Sequence, residues 1–422
     1  MLILQAQRAM TFQLEAPPQN GRSLLKLNGI SMFFRDSENT IGDEAWRSRE
    51  RARKRREMLI QALFVAGLLL LAGFFVVNVE SNLAAKNIKS GFGFLFNRAG
   101  FEISDQLVPY SSNDPFWKAF LVGLLNTLKV SGLTIVSATV LGVVVGLMRL
   151  ARNPMLRFLG AAHVEAYRNI PLLVLLLALY LVVTELLPGV RQAIHLGNWF
   201  YLSKTGLLFS VPQMGGSAAL FALVASALCG ASVFYLSRRR YTSFVAGLFA
   251  IGAFVVTGLA VWVGCGAVSG WNHPVQTRFS MRGGLQITPE FLTLWVGLTL
   301  FTSASIAEIV RAGVESVRHG QWEAAYALGL TRGEAVSYVI FPQALRLIVP
   351  PLSSQFMTLT KNSSLAVMVG YPDLVNVGTT ALNVTGQALE VICIIMLVYL
   401  TVNLIISLVM NAFNTRVTAG GI

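Results

Sequence analysis

Apolar and polar residues in this chain fall into long separate blocks instead of alternating at a helical or strand period. A polar stretch over 1–57 gives way to an apolar run at 58–78 that neither charge nor proline interrupts. Further apolar runs lie at 119–148, 170–187, 217–236, 242–266, 291–315, 347–370 and 386–412. About 20 apolar residues carry a helix across a bilayer, so the pattern predicts eight membrane helices. The first run follows a long polar leader and lacks a small-residue cleavage site, so it reads as an anchor rather than a signal peptide.

Charge orients these helices. Seven basic residues fall between Arg47 and Arg56, which holds the N-terminus inside by the bias of Lys and Arg toward cytoplasmic loops. Beside a membrane span that cluster anchors the chain, and nucleic acid is not an expected partner. Alternation then places Arg149, Arg152, Arg157 and Arg168 inside, followed by Arg238 to Arg240, by Arg318, Arg332 and Arg346, and by Arg416 in the tail. Both termini are expected in the cytoplasm. Trp117, Trp199 and Trp271 sit near span ends, where aromatic rings gather at the interface.

Composition agrees. Of 422 residues, 54% are hydrophobic and only 13% charged, about half the charge of a soluble domain. Mean hydropathy is +0.62. A soluble enzyme is excluded. Three cysteines, Cys229, Cys265 and Cys393, show no CxxC spacing, so neither a disulfide framework nor a metal site is indicated. Nor is there a GxxxxGK[ST] loop to bind a nucleotide.

The most informative polar stretch is 321–342, QWEAAYALGLTRGEAVSYVIFP. Glu323, Ala324, Ala325 and Ala327 predict a small-residue helix that Gly329 ends with a positive-φ cap. Thr331 and Glu334 have the spacing of a capping box that starts a second short helix. So little apolar payload cannot stand alone, and the pair is expected to dock. Two readings fit: a loop lying on the protein's own helix ends, or a helix presented to a partner.

Residues 323–342 resemble the EAA loop of permease subunits in bacterial binding-protein-dependent ABC importers. That motif runs EAA, three residues, Gly, nine residues, then I-x-L-P. Here Glu323-Ala324-Ala325, Gly329 and Pro342 keep the frame, while Val339 and Phe341 replace the Ile and Leu. The flanks AEIVRAGVESVRHGQWEAAYALGLT and PQALRLIVPPLSSQF, with LLNTLKVS at 124–131 and YRNIPLLV at 167–174, look like the polar amino-acid branch. The extra first span and the Gly/Ala-rich hairpin within 188–290 resemble the larger subunits of general L-amino-acid transporters.

The resemblance implies an all-α integral membrane protein of the bacterial inner membrane with a type I importer core of five helices. The expected parts are a cytoplasmic segment 1–57, an extra helix 58–78, a periplasmic loop 79–118 and the first core part 119–187. An insert 188–290 and the second core part 291–415 follow, the latter carrying a coupling loop at 316–346. Glu323, Ala324, Ala325, Gly329 and Pro342 would meet a separate ATPase subunit pair, which uses ATP and magnesium. This chain would bind no cofactor. A periplasmic amino-acid-binding protein and a second, different permease chain complete the implied assembly.

Polar residues inside spans are costly in lipid and mark either pathways or helix packing. Asn126 and Thr127, with Thr360, Lys361, Asn362, Ser363 and Ser364, are the pathway candidates. Glu308 and Arg311, three apart, read as an ion pair near the cytoplasmic end. The competing function is an ion-coupled secondary transporter, which would show inverted repeats and midplane acids; neither is evident.

Overall fold

The computed structural model describes residues 38–85, 91–214, 216–238, 243–277 and 281–419. The chain divides into two compact units, 1–87 and 88–422. In the first, α1 (Glu38–Ala85) carries the predicted apolar anchor and also takes in the basic cluster that precedes it. Most of segment 1–57 lies outside the described residues.

The second unit is built on α2 (Phe116–Arg149) and α7 (Pro289–Glu315), which lie side by side. Lipid supplies no hydrophobic force between helices, so close packing through small residues must do the work. A Cβ on Gly142 would lie 2.7 Å from the Ile306 side chain and 2.9 Å from the Ser303 carbonyl. One on Gly146 would meet the Ala307 carbonyl at 2.9 Å. At the ends of these helices Glu308 receives both Arg149 and Arg311, and Arg311 also pairs with Glu315. The expected ion pair therefore belongs to a larger cluster that joins two helices.

After α2 comes α3 (Pro154–Asn169), capped by Asn153 Oδ1, which accepts from Met155 N at 2.9 Å. Pro171 then starts α4 (Leu172–Leu181), extended by a π-turn to Leu186. The two helices meet at 101°. The run expected as a straight span at 170–187 is thus the shorter arm of a bent pair, because Pro171 forbids the residue before it a helical conformation. Among the described residues, seven helices are long and apolar enough to cross a membrane, or eight if this pair counts as one.

The 188–290 region holds the expected hairpin, α5 (Gly216–Ser237) and α6 (Ser243–Ser269). It also holds strands, so the chain is mostly helical rather than wholly so. β1 (Ile194–Leu196), β2 (Phe200–Ser203), β3 (Gly206–Phe209) and β8 (Leu285–Ile287) form an antiparallel sheet in that order. β4 (Val211–Pro212) pairs with β5 (Trp271–Asn272), and β6 (Val275–Gln276) with β7 (Met281–Arg282). In the larger sheet Ile194 faces Leu202, Leu196 faces Phe200, Leu207 faces Ile287 and Phe209 faces Leu285. Strands this short were hidden inside a stretch whose hydropathy is dominated by the hairpin.

Beyond α7 lie α8 (His319–Ala327), α9 (Arg332–Glu334), a π-turn over 335–340 and α10 (Phe341–Asn362), which tightens to a 3₁₀ turn through Val369. α11 (Leu374–Thr385) and α12 (Ala388–Ala419) close the unit. The outer segment 91–115 is packed rather than loose. Phe94 meets Phe116 edge-on at 5.5 Å, and Gly91 N donates to Glu390 Oε1 at 2.6 Å. That bond accounts for the acid at the start of α12.

Candidate functional site

The segment from α8 to α9 takes the form its sequence dictates at its caps. Thr331 and Glu334 form a complete capping box, with Thr331 N donating to Glu334 Oε2 at 2.8 Å. At the end of α8, Gly329 N donates to Tyr326 O and Leu330 N to Ala325 O, at 2.9 and 3.2 Å. This is a Schellman closure, and it needs the left-handed φ of +77° at Gly329. No other atom crowds the place of a Cβ there, so backbone conformation alone calls for glycine.

The second helix is not short. α9 runs through the π-turn into α10 as the start of a candidate span reaching Val369. Pro342 lies at its first turn, just past the π-turn. A proline brings no N–H to the preceding turn, which favours a widened helix there.

Docking follows from one buried edge of α8. Ala325 is fully buried, and Trp322 packs into the cluster of Ile340, Ala344 and Ile348. Gln343 Nε2 donates to Gln321 Oε1 at 3.0 Å. Glu323, Ala324, Ala327 and Gly329 remain exposed, and Leu328 projects fully into the surroundings. Glu323 has only His319 Nδ1 beside it, at 3.1 Å. The segment therefore lies on its own helix ends and still presents a surface.

The predicted pathway residues are not brought together. Asn126 and Thr127 are buried in a clamp between α2 and the start of α11. Asn126 Nδ2 donates to the carbonyls of Asp105 and Pro372, at 2.7 and 2.9 Å. Thr127 Oγ1 accepts from Leu374 N at 3.1 Å and donates to Gly123 O. Nearby, Lys129 pairs with Asp105 at 2.9 Å and stands over the Phe291 ring.

The 360–364 group splits across its helix. Thr360 and Ser363 are buried, with Ser363 Oγ donating to Thr360 O at 2.8 Å, while Lys361 is exposed and Asn362 and Ser364 are half-buried. Only Thr360 of this set lines the cavity of about 500 Å³ that opens between α2, α10 and α12. Ser131 is the other polar side chain of α2 there, and its buried hydroxyl has no partner.

Sequence reasoning missed the centre of the clamp. Asp373 is fully buried, caps α11 by accepting from Asn376 N at 2.8 Å, and takes a 3.4 Å contact from Tyr399 O–H. Burial pushes its carboxyl up to about 7 against the pull of its backbone donors. The same burial raises the Tyr371 phenol. The signal available was Asp373 itself, an N-cap residue directly before an apolar turn.

This segment, docked at one edge, is carried between two helices long and apolar enough to cross a membrane. The match to the family of binding-protein-dependent transport system inner membrane components spans residues 138–419, and the chain belongs to that family. It is 42% identical to YhdX of Escherichia coli strain K12, over 86% of this chain and 94% of that one. The general L-amino acid transport system permease protein AapQ of Rhizobium johnstonii is 41% identical, over 86% and 92%. The glutamate/glutamine/aspartate/asparagine permease BztB of Rhodobacter capsulatus is 36% identical, over 86% and 92%. The chain is thus a multi-pass ABC importer permease, in which a separate subunit hydrolyses ATP. The ion-coupled reading falls away.

Proposed function

We propose that this chain is a permease subunit for free L-amino acids. The permeases AapQ and BztB, similar along most of their length, support that substrate class. On this reading the chain crosses the inner membrane eight times with both termini inside, and the bent α3–α4 pair makes one crossing. A periplasmic binding protein delivers substrate, a second and different permease chain completes the pathway, and an ATPase pair drives alternating access.

Residues 316–346 are the coupling segment. The observation that carries this is the half-docked α8, with Ala325 buried and Glu323 and Ala324 exposed ahead of the tight closure at Gly329. Small side chains permit close approach, and Glu323 offers a fixed charge. A ligand-driven cycle requires each partner to favour one conformation over the other, and a segment continuous with α10 passes that preference into the membrane. Domain bounds near 57, 78, 118, 187 and 290 accompany this reading, with the insert 188–290 outside the five-helix core.

The test is co-purification from native membranes, comparing wild type with a Glu323→Arg, Gly329→Trp variant. Wild type is expected to bring down an ATPase and a second permease, and the variant to keep the permease and lose the ATPase. An ATPase retained by the variant would overturn the coupling assignment. Uptake of labelled L-amino acids by the complex then checks the substrate class.

A further inference from the structure

The sheet β1-β2-β3-β8 has two unlike faces. Its cross-strand pairs put aliphatic and aromatic residues alone on one side, while His195, Tyr201, Leu208 and Gln286 stand on the other. On the mixed side Leu208 is 2% exposed, while His195 and Gln286 are open. On the apolar side Leu202, Leu207, Phe209 and Ile287 are half-buried and the other four residues are open. Leu196 is 72% exposed, Ile194 58%, Leu285 51% and Phe200 48%. A one-sided antiparallel sheet ordinarily turns its apolar face inward, and an open apolar patch marks an interaction surface.

The chain itself says what covers it. α4's extension ends at Leu186 and β1 starts at Ile194. β4 ends at Pro212 and α5 starts at Gly216. α6 ends at Ser269 and β5 starts at Trp271, while β8 ends at Ile287 and α7 starts at Pro289. Extended chain advances about 3.3 Å per residue, so the last two links hold β5 and β8 within roughly 7 Å of helix ends. That is about the thickness of the headgroup layer on each side of the hydrocarbon. The rings of Trp199 and Trp271 lie 4.8 Å apart, with His273 at 5.2 Å from Trp199. Amphipathic rings collect at that level.

We propose that the apolar face of this sheet rests on the outer leaflet, making the insert an interfacial sheet whose occupant is lipid. No charged side chain stands on that face, so it meets acyl chains without stranding an ion. The side of the membrane follows from the topology proposed above; the depth does not depend on it.

The test uses the full transporter in vesicles of phosphatidylethanolamine and phosphatidylglycerol, with Cys229, Cys265 and Cys393 replaced by Ala. Spin labels are placed through Leu196→Cys and Leu285→Cys on the apolar face and His195→Cys on the other. Oxygen, which concentrates in lipid, should relax the labels at 196 and 285 several-fold more than a water-soluble nickel chelate. The order should reverse at 195. Equal nickel access at 195 and 196 overturns the proposal. So does shielding of 196 from both reagents, which means that protein covers the face, the binding protein included. The side from which nickel reaches 195 reports topology separately. Quenching by brominated phospholipid, compared between wild type and a Trp199→Phe, Trp271→Phe variant, reads the same depth without a label, and an unchanged quenched fraction counts against the proposal.

Discussion

Where α2 meets α11, polar side chains are buried and hydrogen-bonded; along α8 they are left open. Asn126 and Thr127 tie α2 to the start of α11 through backbone partners, and Asp373 caps α11. Glu323 and Ala324 hold nothing together beyond their own helix. A polar residue in an apolar chain is therefore weak evidence of function until its partners are known. Where the protein itself satisfies the group, the group is structural. Where a rigid and well-capped helix leaves a surface open, the surface awaits a partner.

This contrast can be broken by substitution. Ala324→Trp should lower amino-acid uptake by about 30-fold or more, the scale of losing about 2 kcal/mol at the centre of an interface. Thermal stability should hardly move, since exposed substitutions stay within about 0.5 kcal/mol. Near-normal uptake by a stable variant would erase the distinction between the two regions. Asn126→Leu should do the reverse. It leaves the Asp105 and Pro372 carbonyls without that donor, at a cost of about 2–3 kcal/mol, seen as a lower unfolding temperature in detergent. An unchanged melt would show that the clamp bears no strain.

Asp373 sharpens the comparison through pH. Its folded pKa of about 7 lies above the ordinary 3.8, so the folded state binds the proton more tightly than the unfolded one. The stability this provides is complete below about pH 4 and lost as pH rises through 7. Asp373→Asn keeps an N-cap and should remove that slope, so the difference in melting temperature from wild type should shift in the variant's favour from pH 5 to pH 8. A constant difference would contradict the burial argument. The smallest effect is expected at Gly329→Ala, which forces a Cβ into left-handed backbone for about 1–2 kcal/mol. Hydrogen exchange should show it as faster opening of α8 alone.

Hydropathy made most of the helices legible, because a membrane span announces itself in one continuous run. The caps were legible for a different reason: Thr331, Glu334 and Gly329 act through local geometry that spacing encodes. What escaped depends on distance along the chain. Arg149 reaches Glu308 across 159 positions, and Asn126 reaches Pro372 across 246. Nothing local in either residue names its partner. The 360–364 group divides because consecutive residues on a helix point in different directions, so five polar neighbours in sequence are not one polar surface. The short strands of the insert were masked by the hairpin's apolar mass.

The glycine contacts and shared carboxylate between α2 and α7 carry a mechanical consequence. Two helices in backbone contact along several turns resist sliding, so they move as one beam. α7 has 27 residues and is about 40 Å long. A swing of about 5° about its C-terminal end would carry Phe291 through roughly 3 Å. Through Lys129 above that ring, the clamp would travel with it. A small push beneath the membrane thus has a lever long enough to be felt above it.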